Sequence, residues 1–216
     1  MPSRAARWFR ATLVLVLAFA PAMPCSAEST VSMAPGSTYA SVMRTINPRL
    51  ARHQSLAYAT ALLDNARRMN VDPTLVMAVV TVESHWNSSA LSYHGAEGLG
   101  QLKPETAREL GVNPWSGRSN LRGITLYLHR LLSLFRFARE PIRSAIAGYN
   151  AGPYAIGSSG RIPQNGQTPH YVDKVMNAWQ TLRTRLGNDP TPEEIANSLG
   201  SPASVAKSEA AYWGAR

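Results

Sequence analysis

Glu83 is the first residue whose placement suggests chemistry. It follows Thr74 to Val82, a run apolar on nearly every side, which makes a central, buried helix rather than an amphipathic surface one. A carboxylic acid at the mouth of such a helix is poorly solvated when ionised, so its pKa rises toward neutral and it becomes a proton donor. Glycosidic oxygen is a poor leaving group that needs such a donor, which is why glycosidases keep one carboxyl protonated in apolar surroundings. Taken alone, the position also fits an ordinary helix-terminal carboxylate in water.

The surrounding segments decide between these readings. ESHWNSSALS (83–92) runs toward GAEGLGQLKPETA (95–107), and NLRGITLYL (120–128), AGYNAGP (147–153) and TPHYVDKV (168–175) follow. In their order and spacing these segments resemble the soluble lytic transglycosylase (SLT) family, relatives of goose-type lysozyme that cleave peptidoglycan. The resemblance covers roughly residues 55–182. It implies a mainly α, lysozyme-like domain with a substrate cleft. By matching position, Glu83 takes the place of the catalytic acid of the family's Glu-Ser pair. Ser92 matches a serine near the sugar N-acetyl group, and Gln101 matches the glutamine of a Gly-Leu-Met-Gln turn. Tyr149 and Asn150 match the Tyr-Asn-Ala-Gly motif, and Tyr171 the tyrosine of the final one.

Three positions depart from the pattern. Gly100 stands where methionine is usual, which predicts a lost apolar wall in a sugar subsite; Gly148 replaces a common alanine; Gln167 replaces a frequent glutamate and drops its charge while keeping hydrogen-bonding capacity.

Physical reasons accompany the resemblance. Aminosugars present amides and apolar ring faces, so a cleft for them needs amide groups such as those of Gln101 and Asn150, and aromatic platforms such as Trp86, Tyr149 or Tyr154. Core packing is an equal alternative for Trp86 and Tyr154. The Tyr149 hydroxyl is also a candidate to donate to Glu83 and orient it. Gly95, Gly98 and Gly100 allow a tight backbone path, for which plain turn-making is sufficient reason.

Retaining and inverting glycosidases use two carboxylates. No motif here supplies a second; Glu97, in the glycine turn, is the nearest later candidate. With one acid the substrate supplies its own nucleophiles. The product implied by the resemblance is a 1,6-anhydromuramic end, formed from the MurNAc-GlcNAc bond without net water. A hydrolytic muramidase and a catalytically inactive wall-binding assembly protein are the alternatives. Small members of the family accompany secretion or conjugation machinery, and general wall turnover fits as well.

His85 and His94 flank the acid without forming a zinc-binding pattern, and phosphate loops and serine nucleophile elbows are absent, so neither metal nor cofactor is expected. The chain is basic, with formal net charge +9. A basic surface suits an anionic wall polymer, and nucleic acid is disfavoured because residues 1–27 read as a secretory signal: Arg4, Arg7 and Arg10, an apolar stretch from Ala11 to Ala20, then Cys25-Ser26-Ala27 before Glu28. The apolar stretch is too short to span a bilayer. Cleavage after Ala27 predicts a periplasmic or secreted protein without a stable membrane span, and removes the sole cysteine; a lipid anchor on Cys25 is the rival, disfavoured by Pro24.

The positioning elements follow from periodicity and punctuation. Residues 28–47 read as an extended linker, 48–186 as the catalytic domain, and 187–216 as a tail with a capping-box pattern from Thr191, sufficient for two short helices. Within the domain, helices are expected over 48–69 (apolar at Leu56, Ala59, Leu62, Leu63 and Ala66), from Asp72-Pro73 to Glu83, and over 104–110, 120–137, 141–148 and 171–186, with 157–169 as loop and no substantial sheet.

Overall fold

The run ahead of Glu83 forms α3 (Pro73–Ser84), whose residues from Thr74 to Val80 are all fully buried. Each of its Leu, Val and Met side chains removes about 1.5–3 kcal/mol worth of apolar surface from water, so the helix is held at the centre of the molecule. The computed structural model describes residues 35–157 and 159–187. Around α3 lie α1 (Pro35–Ile46), α2 (Arg52–Met69), α4 (Pro104–Glu109), α5 (Gly117–Leu134), α6 (Pro141–Ala151), α7 (Pro153–Ile156) and α8 (Gln167–Leu186). No strand occurs among the described residues; two isolated bridges, Leu91 with Glu97 and Glu97 with Leu102, pinch the glycine turn. The mainly α expectation therefore holds.

α3 packs on α8, α2 and α5, while α5 and α8 both pack on α6. The N-terminus of α3 is fixed as the Asp72-Pro73 pair predicts. The Asp72 carboxylate accepts from the Thr74 backbone N–H and hydroxyl, both at 2.7 Å. Its other oxygen accepts from the Trp179 indole N–H at 2.7 Å, which ties the cap to α8. At the opposite end, His85 takes a left-handed conformation (φ 49°) and stops the helix one residue after Ser84. Trp86, also left-handed (φ 64°), turns its indole into the core, where it faces Tyr58 and donates to the Thr81 hydroxyl at 3.3 Å. Of the two sequence readings of Trp86, packing is the one observed: it is 1% exposed.

Several expectations need correction. Residues 35–46, expected within a linker, form α1 and bury Tyr39, Ala40 and Met43, so the ordered domain begins well ahead of residue 48. The spacing of those residues is helical; the Ser, Thr, Gly and Pro around them masked it. α2 starts at Arg52 and turns Leu56 outward at 38% exposure, because Ser55 and Tyr58 take the inward positions. α6 extends to Ala151, which places Tyr149 and Asn150 in its last turn, and α8 starts at Gln167, inside the expected loop. Residues 1–34, 158 and 188–216, with the segments read as an export signal and a tail, lie outside the described residues.

Asp72→Ala removes a cap and leaves the buried Trp179 N–H with only the Thr74 hydroxyl at 3.0 Å. Urea denaturation is expected to show a loss of about 2–4 kcal/mol; a loss under about 0.5 kcal/mol would remove the cap from the account of what fixes α3.

Candidate active site

Three helix ends converge on Glu83: the last turn of α3 that carries it, the last turn of α6 with Tyr149 and Asn150, and the first turns of α8 with Gln167 and Tyr171. Glu83 is half-buried, and burial pushes its carboxyl from 4.5 up to about 7, partly offset by a hydrogen bond. That bond comes from the Tyr171 hydroxyl, which donates to Oε1 at 2.7 Å. Burial first, then the Glu83 charge, pushes both Tyr171 and Tyr149 well above the ordinary phenol range, so both hydroxyls stay protonated donors.

A cleft of about 520 Å³ opens beside the acid. Glu83, Ser92, Gln101, Tyr149 and Asn150 all line it, so five of the six sequence-predicted residues meet in one place. Tyr171, expected among the substrate contacts, commits its hydroxyl to Glu83 instead. The role foreseen for Tyr149 is corrected in the same way: its hydroxyl donates to the Gly100 carbonyl at 2.8 Å. Tyr149 comes from α6, whose last turn faces the glycine turn, whereas the first turns of α8 face the end of α3; this assigns the two phenols to different acceptors.

Two of the polar side chains in the cleft, Gln101 and Ser92, are oriented by hydrogen bonds. Gln101 has a left-handed backbone (φ 48°), and its side-chain N–H groups donate to the Ala90 and Gly98 carbonyls at 3.1 and 3.0 Å. With both donors engaged, Oε1 is left as an acceptor. The Ser92 hydroxyl accepts from the Ala96 backbone N–H at 2.9 Å, which leaves its proton available. Asn150 is exposed, and its amide makes no hydrogen bond to any described residue. Neither Tyr154, 51% exposed, nor Trp86, in the core, lines this cleft; Tyr127 does, packed on Tyr149 at 5.2 Å between ring centres.

The glycine turn depends on a residue that sequence reasoning passed over. Asn120, fully buried at the start of α5, donates to the Glu97 and Pro114 carbonyls at 3.1 and 2.8 Å and accepts from the Gly100 N–H at 3.0 Å. The expected gap at Gly100 is not there. A Cβ at this position would run into Ile124 and come within 2.7 Å of the Tyr149 hydroxyl, so the space is already filled. Gly148 is small for a similar reason, since a Cβ there would press on Phe135 at 2.9 Å.

Glu97 holds its place through backbone pairing with Leu102 and does not line the cleft, so among the described residues Glu83 is the only carboxylic acid in the lining. Thr106, Gly152, Lys103 and His94 also line the wall without having been singled out for it. Among the described residues no group of three or more His, Cys, Asp or Glu is placed to hold a metal. What the arrangement offers is a proton donor of near-neutral pKa, facing a cleft with fixed acceptors and donors for amide-bearing ligands.

Comparison with known proteins agrees with this geometry. A family model described as Transglycosylase SLT domain matches residues 60–172. The chain is 32% identical over 126 residues to a membrane-bound lytic murein transglycosylase F of Desulfosudis oleivorans, covering 56% of this chain and 26% of that one. It is also 32% identical over 124 residues to a transglycosylase of Enterobacteria phage PRD1, covering 57% of this chain and 43% of that one. The chain thus spans less than half the length of these relatives. Among solved structures, an inactive mutant of the lytic transglycosylase Slt from Pseudomonas aeruginosa superposes with a TM-score of 0.54 at 21% identity, over 72% of this chain and 31% of that one, which establishes a shared helical, lysozyme-like fold. Half of the chain lies within the matched segment, and the chain belongs to the transglycosylase SLT domain family.

Proposed function

We propose that this protein is a peptidoglycan lytic transglycosylase that cleaves the MurNAc-GlcNAc bond with Glu83 as its single acid–base group. The observation that carries this reading is a half-buried carboxyl raised to about 7, the one carboxylic acid among the described residues that line the cleft. At neutral pH a large share of Glu83 is protonated and able to donate to the glycosidic oxygen as the bond breaks. The N-acetyl carbonyl of the muramic sugar stabilises the positive charge at its anomeric carbon. Glu83, now a carboxylate, takes the proton from the 6-hydroxyl, whose oxygen closes on the anomeric carbon to give a 1,6-anhydromuramic end. The proton gained by the leaving sugar is replaced on Glu83 by the one from the 6-hydroxyl, so the acid is regenerated without water.

The remaining residues have distinct parts in this reading. Tyr171 orients Glu83 and moderates its pKa. The Gln101 Oε1 acceptor suits an N-acetyl N–H, and Ser92 and Asn150 supply further polar contacts to the sugars; Tyr149 holds the Gly100 carbonyl and with it the wall of the cleft. A wall substrate places the enzyme outside the cytoplasm, in keeping with the export signal read in residues 1–27. Service to a secretion or conjugation machine is the narrower form of the proposal. Among the described residues no helix is long and apolar enough to cross a membrane.

Incubation of the purified protein with isolated sacculi tests the reaction: mass spectrometry is expected to find anhydromuramic ends, and reducing ends in their place would instead indicate a hydrolase. Glu83→Gln is expected to lower release by about 10²–10⁴-fold. Because the acid must be protonated, kcat/KM should fall as pH rises through about 7. Tyr171→Phe removes a bond that favours the carboxylate, so its alkaline limb should move to higher pH with reduced turnover; an unmoved limb would argue against the orienting role.

The raised pKa also has a stability sign. A carboxyl with a higher pKa folded than unfolded stabilises the fold fully below about 4.5 and loses that contribution as pH rises through about 7. Thermal melts should therefore show Glu83→Gln more stable than the parent at pH 8, by about 2 kcal/mol, with little difference near pH 5.

A further inference from the structure

Among the described residues that line the cleft, Lys103 is the one lysine, and no arginine joins it there. It precedes α4 and sends its ammonium back across the glycine turn, where one N–H donates to the His94 carbonyl at 2.7 Å. An ammonium has three donors, so two remain. No carboxylate of the described residues lies within ion-pair distance of it, and the side chain is exposed to the cleft's solvent. Among the described residues of the lining the only acid is Glu83, whose carboxyl burial raises to about 7. At the position ahead of Thr168, the lining carries neutral Gln167 in place of a carboxylate.

We propose that Lys103 forms a carboxylate-binding subsite for the peptide stem of the muramic sugar. This deepens the reading of the cleft as a peptidoglycan site, and rests on it. The glycan backbone itself is uncharged at its hydroxyls and N-acetyl groups; the negative charge of the polymer sits on the lactyl-linked stem of each muramic residue. A stem therefore hangs from the very sugar whose bond faces Glu83, and a fixed cation in the same cleft meets it. The bond to the His94 carbonyl holds the ammonium over the loop carrying Ser92, the residue matched to the N-acetyl contact of that sugar. A plain structural role, stapling that loop to α4, needs only the one donor already used. It would make binding insensitive to the charge of the substrate.

The test therefore crosses the side chain with the charge of the ligand. Glycan strands bearing stem peptides are compared with the same strands after carbodiimide conversion of their carboxylates to methylamides. Binding is measured on the Glu83→Gln background, so that strands stay whole, with Lys103 retained or changed by Lys103→Met. Amidation is expected to weaken binding by the Lys103 protein about threefold to tenfold. The Lys103→Met protein should bind both preparations about equally, and Lys103→Arg should restore the preference for free carboxylates. Equal losses from Lys103→Met on both preparations, as damage to the loop would produce, or no loss on either, would overturn the proposal. Turnover is followed in parallel with Glu83 intact. Binding that depends on both Lys103 and the carboxylates, without release of sugars, would sink the lytic reading and leave the subsite standing.

Discussion

A carboxyl group kept in poor contact with water is the constraint on which the rest of the structure depends. An isolated glutamate in solution is ionised at neutral pH and cannot donate a proton; Glu83 is raised to about 7 because α3 is apolar on all sides and ends just beyond it. The helix can be so apolar only because α2, α5 and α8 enclose it. Its end can be so abrupt only because His85 and Trp86 take left-handed conformations and the Trp86 indole is locked into the core. That strain, of the order of 1–3 kcal/mol per residue, is offset by a large buried aromatic surface.

The same economy of contacts governs the cleft. Tyr171 and Tyr149 are chemically alike and both buried, yet one donates to Glu83 and the other to a backbone carbonyl across the cleft wall. The first joins α8 to the end of α3 and the second joins the last turn of α6 to the glycine turn, so the fold's closure and the carboxyl's orientation are one set of interactions. Asn120 plays the equivalent part for the glycine turn, adding three side-chain bonds to backbone groups. Backbone bonds such as Gly98 N–H to the Ala90 carbonyl and the reciprocal pair between Glu97 and Leu102 shape the turn, and a buried amide with every partner satisfied ties it to α5.

Position along the chain indicated membership of the site better than role within it. Glu83, Ser92, Gln101, Tyr149 and Asn150 carry motifs whose order survives in sequence, and they do line one cleft. What the phenols and Gly100 do there was misread, because hydrogen-bond partners lie 49 to 88 residues away and no local pattern ranks them. The filled space beside Gly100 belongs to Ile124, whose own spacing on α5 announces only a core position. α1 was missed for a different reason: its buried face is narrow, and the small polar residues around Tyr39 and Met43 resemble a linker by composition.

By itself the sequence determined what local rules and patterning can determine: a mainly α chain, an Asp72-Pro73 start and a wholly apolar body for the helix that delivers Glu83, and a basic chain with Glu83 as its leading candidate acid. These follow from residue types and their spacing over a few turns. Only the tertiary structure decided how dry Glu83 is, which tyrosine holds it, that Glu97 stays out of the cleft and that Lys103 enters it. Solvation and hydrogen bonding depend on the atoms that surround a group in space, and those come from helices that are distant in the chain and meet only when the core closes.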